Sequence, residues 1–214
     1  MCSFKRIGGS LSWGLLRVAG SFLPAAVILG LTPQAWGFID FVPADPETED
    51  VWSVTGFLGQ WDDSRFGEIL SMRGWDLKSA YIGGVALNRR LATSFDELFH
   101  WEAEGSVYRY WGRQHHWEGN LAIVGRWTWF PWDAYVDTSL AMGQGVSLAS
   151  KPPKIEGDDT RRFLNHLLVE LEFAPPDGGP VSLVARLHHR SGAWGLYGAQ
   201  TGSNFVNFGV RYRF

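Results

Sequence analysis

Residues 204–214 read Asn204-Phe-Val-Asn-Phe-Gly-Val-Arg-Tyr-Arg-Phe214, and in a β-strand their side chains would divide into two unlike faces. One face is apolar from Val206 to Phe214, whereas the other carries Arg211 and Arg213. An apolar row opposite two arginines is expected where lipid surrounds a barrel and polar side chains fill it. The alternative is the last strand of a soluble β-sandwich, whose apolar face would point inward. The segments upstream favour the barrel.

Seven further segments alternate in the same way, which makes eight predicted strands. They lie at about 51–61, 78–91, 99–111, 116–129, 134–149, 162–174, 180–190 and 204–214. Most have roughly the 9–11 residues with which a tilted strand crosses a bilayer. A soluble fold would have to bury their charged faces and expose their leucines, which is unfavourable. The sequence therefore predicts an all-β fold, an eight-stranded antiparallel transmembrane β-barrel over residues 51–214.

The inward faces of these strands carry both acids and bases, which predicts a filled interior rather than a pore. Eight strands leave room for side chains and little else. A proton or ion path is the alternative, but buried charges must be paired and the two signs nearly balance. We therefore expect a salt-bridged interior. Its members are Glu102, Glu104, Glu118, Glu170, Glu172, Arg126, Arg186, Arg211 and Arg213.

Residues 1–37 have the composition of a signal peptide. Three cations flank the apolar stretch from Val18 to Leu31, and Ala35-Trp-Gly37 forms a small-x-small cleavage site. The apolar stretch is shorter than the about 20 residues of an ordinary spanning helix. An uncleaved anchor is the alternative. The acidic, proline-containing stretch 38–50 is predicted to be a periplasmic N-terminal segment.

The only cysteine, Cys2, lies within the predicted signal, which leaves the mature chain without disulfides, thiolate metal ligands or a cysteine nucleophile. Removal of the signal also removes three cations and takes the formal charge from −3 to −3 − 3 = −6. A mildly acidic chain without a basic patch does not suggest a nucleic-acid partner.

The seventh segment reads Val181-Ser-Leu-Val-Ala-Arg-Leu-His-His-Arg-Ser191, and its outward row turns polar at the outer end. His189 and Ser191 share one face, with Cα atoms about 6.5–7 Å apart. An imidazole and a hydroxyl can meet across that gap, where the imidazole can accept the proton of an attacking serine. Alternatively, the two residues mark the headgroup boundary. His188 points to the other face, so the histidine pair cannot chelate one ion, and no metal site is predicted.

An exported eight-stranded barrel with an outward His-x-Ser near the outer end of its seventh strand resembles the lipid A 3-O-deacylase (PagL) family. The motif-bearing part runs from His189-Arg-Ser-Gly-Ala193 to Phe214. The resemblance implies hydrolysis of the ester that holds the 3-position hydroxyacyl chain on lipid A. It further implies Ser191 as the nucleophile, His189 as the general base and no cofactor.

Two positions depart from the pattern of that family. Gly192 replaces an asparagine thought to help form the oxyanion hole, so the backbone N–H groups of Gly192 and Ala193 are predicted to serve instead. Asn204 stands at the position that matches the family's acidic residue and is the predicted orienter of His189. On this basis Asn204→Asp should maintain or raise activity. The alternative orienters are acids of the preceding outer loop, namely Glu156, Asp158 or Asp159.

The favoured function is therefore that of an esterase in the bacterial outer membrane, to which lipid A arrives laterally from the outer leaflet. The expected partners are lipid A or lipopolysaccharide, the membrane and the barrel-assembly machinery. The oligomeric state is left open, with a homo-oligomer among the alternatives. The rival interpretation is a non-enzymatic structural or adhesion barrel that works through its loops.

Overall fold

Eight long antiparallel strands form the molecule described by the computed structural model, which covers residues 40–47 and 50–214. The predicted signal peptide lies outside these residues. A two-residue strand, Val42–Pro43, pairs with Ala92 and Thr93 near the end of a long strand. The short helical segments are α1 (Phe66–Leu70) and a 3₁₀ turn (Lys154–Glu156). The long strands are β1 (Trp52–Asp62), β2 (Leu77–Ser94), β3 (Phe99–Gly112), β4 (Trp117–Trp127), β5 (Asp137–Ala149), β6 (Phe163–Ala174), β7 (Val181–Ser191) and β8 (Gly202–Arg213).

The sheet closes into a barrel because each strand pairs with the next and β8 pairs with β1. The closing pair includes Val54 opposite Tyr212 and Asp62 opposite Asn204. The predicted fold class, an eight-stranded antiparallel transmembrane β-barrel, is confirmed. Every predicted strand overlaps an observed one. The largest differences are at the end of β2, which extends to Ser94 rather than 91, and at the start of β5, which begins at Asp137 rather than 134. Within the described ranges, no helix has the length and apolar character needed to cross a membrane.

The two faces of the wall differ as the alternation predicts. Side chains of opposite character alternate along each strand because successive residues point to opposite faces. Large apolar side chains are exposed on the outside, as a lipid-facing surface requires. They include Leu58, Val85, Leu87, Val107, Leu121, Ile123, Leu140, Met142, Leu171, Phe173, Leu183, Phe208 and Val210.

The interior is packed with paired charges, which confirms the predicted salt-bridged filling. Arg126 contacts Glu102 at 2.6 Å, Glu170 at 2.8 Å and Glu172 at 2.9 Å. Arg186 contacts Glu170 at 2.5 Å and also Glu104, at 2.6 Å. These contacts offset the desolvation of each ion, which would otherwise be unfavourable by several kcal/mol.

The connections at the two barrel ends differ in length. One end carries the segments 63–76, 150–162 and 192–201, and we call it the long-loop end. It also carries the short connection 113–116. The sequence predicts that its pair His115-His116, next to Trp117, is interfacial. For His116 this prediction is wrong, because the side chain is buried and stacks on Tyr110 with ring centroids 4.1 Å apart, whereas His115 and Trp117 are exposed. Burial lowers the pKa of His116 to about 4.

Candidate active site

The outer face of β7 becomes polar at the long-loop end. Along this strand Leu183 is exposed and Ala185 partly exposed, whereas His188 and Arg190 are fully buried inside the barrel. His189 and Ser191 continue the outward row and are partly exposed. Both residues therefore lie on the face that the alternation predicts.

His189 has a fixed partner on the neighbouring strand. Asn204 lies directly opposite it on β8, and the His189 Nδ1 to Asn204 Oδ1 distance is 2.7 Å. The other end of the amide, Asn204 Nδ2, donates to the backbone carbonyl of Ser64 at 2.8 Å. Because that carbonyl can only accept, the amide oxygen must face His189. The proton of the neutral imidazole then lies on Nδ1, and Nε2 is left as an acceptor.

Ser191 lies two residues further along the same face of β7. Within the described part of the chain the Ser191 hydroxyl makes no hydrogen bond, so it is not hydrogen-bonded to His189 in this structure. Catalytic hydrogen bonds are often loose in the absence of substrate and tighten in the complex. The roles of Ser191 as nucleophile and His189 as base stay predictions.

A cleft opens beside these residues, between the ends of β7 and β8 and the loop 63–76. Phe66, the first residue of α1, packs on the His189 ring with centroids 4.8 Å apart. Exposed Arg65 brings a positive charge to the rim. The cleft is lined by Trp61, Asp62, Asp63, Ser64, Arg65, Phe66, His189, Ser191, Gln200, Thr201, Gly202, Ser203 and Asn204.

The structure speaks against one predicted oxyanion donor. The Gly192 N–H is already donated to the Thr201 carbonyl at 3.0 Å, which holds the base of the loop 192–201 closed. A Cβ at this position would lie 1.8 Å from the Ala199 carbonyl oxygen, so an asparagine cannot occupy it without a shift of the loop. The Ala193 N–H has no acceptor among the described residues and remains available.

A second amide lies beside Ser191 and was missed by sequence reasoning. Asn165 faces Ser191 directly across the β6–β7 pair, on the same outward face. Its Oδ1 accepts a hydrogen bond from Gln144 Nε2, so its own NH₂ group points elsewhere and has no acceptor in the described ranges. The signal was present in the sequence, since two amides interrupt the lipid-facing rows of β5 and β6.

The acids of the loop 150–162 do not reach His189. Glu156 lies at the mouth of the barrel, where it binds Arg190 Nη1 at 2.6 Å and accepts from Ser203 Oγ at 2.9 Å. Burial raises the pKa of the Glu156 carboxyl, and the Arg190 charge opposes that rise. No contact joins His189 to Asp158 or Asp159 in the part of the chain that the structure describes. Asn204 is therefore the orienter that the geometry supports.

Comparison with known proteins finds a relative in fold and none in sequence. No protein-family model matches the chain, and no curated protein sequence matches it. Among solved structures, the outer membrane enzyme PagL matches with a TM-score of 0.54 and 13% identity, over 76% of this chain and 99% of PagL. Neisserial surface protein A (NspA) matches with a TM-score of 0.47 and 11% identity, over 78% of this chain and 98% of NspA. At 13% identity, the likeness to PagL supports the barrel fold alone.

Proposed function

We propose that this protein is an esterase of the bacterial outer membrane that hydrolyses an ester-linked acyl chain of lipid A, as the resemblance to the lipid A 3-O-deacylase family implies. The observation that carries the proposal is the His189–Asn204 hydrogen bond, which leaves the basic nitrogen of His189 free on the outer wall beside Ser191. An eight-stranded barrel similar in fold to the outer membrane enzyme PagL is compatible with it.

The reaction follows the serine–histidine pattern. Ser191 Oγ attacks the ester carbonyl carbon while His189 Nε2 takes the hydroxyl proton. The tetrahedral intermediate collapses, the alcohol leaves with the proton from His189, and the acyl chain stays on Ser191. Water then attacks this acyl-enzyme with His189 again as the base, which releases a carboxylic acid and restores the serine. Asn204 holds the imidazole through Nδ1 in both steps.

The oxyanion of each intermediate needs hydrogen-bond donors beside Ser191. The Ala193 N–H and the Asn165 amide NH₂ are the two candidates. Ala193 follows Ser191 by two residues, Asn165 faces Ser191 across the sheet, and both groups lack acceptors among the described residues. Preorganised donors of this kind act most strongly where water is excluded.

The position of the site supports an amphiphilic substrate. An amphiphile in the surrounding leaflet can place its acyl chain along the apolar wall below His189 and its polar part at the long-loop end. The Arg65 charge at the rim suits a phosphate-bearing headgroup such as that of lipid A. In this proposal the long loops face outward, and neither cofactor nor nucleic acid takes part.

The proposal also includes the predicted export, location and membrane insertion of the chain. Residues 1–37 direct export and are removed, residues 38–50 lie in the periplasm, and the barrel-assembly machinery inserts the strands. Self-association into a homo-oligomer is a further hypothesis, and gel filtration of the detergent-solubilised protein tests it.

A non-enzymatic structural or adhesion barrel is the second candidate. One observation in its favour is that no hydrogen bond joins Ser191 to His189 among the described residues. The other is the loop 192–201, where Trp194 is 93% exposed and Leu196 is 80% exposed. Exposed apolar side chains at a loop tip commonly mark a surface that binds a partner.

Mass spectrometry of lipid A separates the two candidates. Cells that express the wild type should lose one acyl chain from lipid A, and Ser191→Ala or His189→Asn should abolish the change while the barrel still shows heat-modifiable gel mobility. Ser79→Ala, which alters an exposed hydroxyl elsewhere on the wall, is the matched control and should behave as the wild type. Identical lipid A profiles for wild type, Ser191→Ala and empty vector would leave only the non-enzymatic candidate.

A further inference from the structure

One carboxylate lies in the same row as His189 and Asn204, although it belongs to the opposite end of the barrel sequence. Asp62, the last residue of β1, is directly opposite Asn204 in the β1–β8 pair, just as Asn204 is directly opposite His189. Cross-strand partners share a face of the sheet. Asp62, Asn204 and His189 thus form a row across three adjacent strands, spaced by about 4.8 Å per strand.

The Asp62 carboxylate is fully buried and fixes the turn that follows it. Its Oδ1 accepts hydrogen bonds from the backbone N–H of Ser64 at 2.8 Å and of Asp76 at 3.2 Å. These bonds tie both ends of the loop 63–76 to the end of β1. The other oxygen, Oδ2, is buried and has no hydrogen-bond partner among the described residues.

The same turn holds the amide that orients His189. Ser64 donates its N–H to Asp62 and accepts from Asn204 through its carbonyl, and Asn204 in turn accepts from His189. A continuous set of hydrogen bonds therefore runs from the Asp62 carboxylate to the imidazole. Loss of the Asp62 acceptor would leave the Ser64 N–H unbound. The turn that positions the Ser64 carbonyl could then move, and the Asn204 amide could flip.

We propose that Asp62 is a positioning residue of the His189–Ser191 site, which fixes Asn204 through Ser64 and requires an amide rather than an acid at position 204. The second part follows from charge. A carboxylate at 204 would face the Ser64 carbonyl oxygen and lie directly opposite Asp62, and like charges directly opposite each other are unfavourable. The inference rests on the proposed esterase function and reverses the sequence expectation that Asn204→Asp maintains or raises activity.

A double-mutant cycle on purified lipid A in detergent micelles tests the proposal. Asp62→Ala should lower kcat by about tenfold with little change in KM, since imidazole orientation acts in the transition state. Asp62→Asn should keep most of the activity, because its amide oxygen can still accept from Ser64. Asn204→Asp alone should lower kcat, and addition of Asp62→Asn should raise it again, because the amide introduced at position 62 can donate to the new carboxylate. Asp177→Ala, which removes an exposed acid from the connection 175–180 at the other end of the barrel, is the control.

A second measurement does not depend on activity. Nitrogen NMR of the ¹⁵N-histidine-labelled protein in micelles, with the His189 signals assigned from His189→Asn, should show a proton on Nδ1 in the wild type and in Asp62→Asn. Asp62→Ala should show a mixture of tautomers. A wild-type tautomer in Asp62→Ala, or full activity of Asn204→Asp, would overturn the role of Asp62. A wild type as inactive as Ser191→Ala would instead overturn the esterase, and the tautomers would still test the hydrogen bonds.

Discussion

Single residues at the site differ in what they offer to the reaction. His189 is held through Nδ1, so its orientation comes from an amide rather than from a carboxylate. A neutral partner stabilises the imidazolium less than a charged one, because it offers a dipole in place of a charge. The transition state then depends more on the oxyanion donors, and Asn165 is the side chain placed for that role.

Substitution of Asn165 tests this dependence. Asn165→Leu should lower kcat by about 10²–10³-fold with KM little changed, which is the usual effect when one oxyanion donor is lost. Gln144→Leu is the matched control, since it removes the neighbour that fixes the amide and should have a smaller effect. Steady-state kinetics on lipid A micelles measures both, and an unchanged kcat for Asn165→Leu would exclude this residue as a donor.

At the scale of elements, the loop 192–201 determines how Ser191 is presented. Gly192 closes the loop on Thr201 and touches the backbone at Ala199, so the strand end and the loop form one tight turn. Tyr197 packs on Phe163 at 5.6 Å between ring centroids, which ties the loop to the outer face of β6. The presentation of Ser191 therefore depends on backbone contacts that a side chain at position 192 would disturb.

Gly192→Ala tests this arrangement. The added Cβ would meet the Ala199 carbonyl oxygen at 1.8 Å, so the loop must move, and overpacking of this kind typically costs about 1–3 kcal/mol. Turnover should fall. The barrel should also unfold at a lower temperature, as measured by the loss of its heat-modifiable gel mobility. Gly119→Ala is the control, because nothing lies within 4 Å of a Cβ there. Equal behaviour of the two variants would contradict the close approach.

At the scale of the whole molecule, the charged interior stabilises the barrel and fills its lumen. Arg186 is fully buried and is the only arginine in contact with Glu104 among the described ion pairs. Arg211 shares Glu170 and Glu172 with Arg126, so these two acids keep a partner if Arg211 is lost. The two arginines should therefore contribute unequally to stability.

Arg186→Met should lower the free energy of unfolding by about 3–5 kcal/mol, because it leaves a buried acid unpaired. Arg211→Met should have a smaller effect. Urea titration of the protein in lipid vesicles, with the folded fraction read from its gel band, measures both effects. The filled interior also predicts that the wild type shows no steady conductance in planar bilayers. Equal losses for the two variants, or sustained open-channel currents, would contradict the packed interior.

The alternation of side chains, read along the chain, was enough to predict eight strands, their lipid-facing and inward residues, and the outward positions of His189, Ser191 and Asn204. This is so because the period of two is a local property of each strand. The charged filling also followed, since acids and bases that share an inward face must pair. His116 was placed wrongly because a short connection has no such period, and its stacking on Tyr110 is a tertiary contact.

The partners of the site residues were decided by closure of the barrel. Asp62 meets Asn204 only because β1 pairs with β8, and Ser64 binds Asn204 across 140 residues of sequence. Asn165 lies beside Ser191 through the register of β6 with β7, and the Gly192 N–H is occupied because its loop folds back. Register and loop path depend on the whole set of pairings rather than on local pattern. The sequence by itself therefore determined the wall and its two faces, and the tertiary structure decided which groups surround His189.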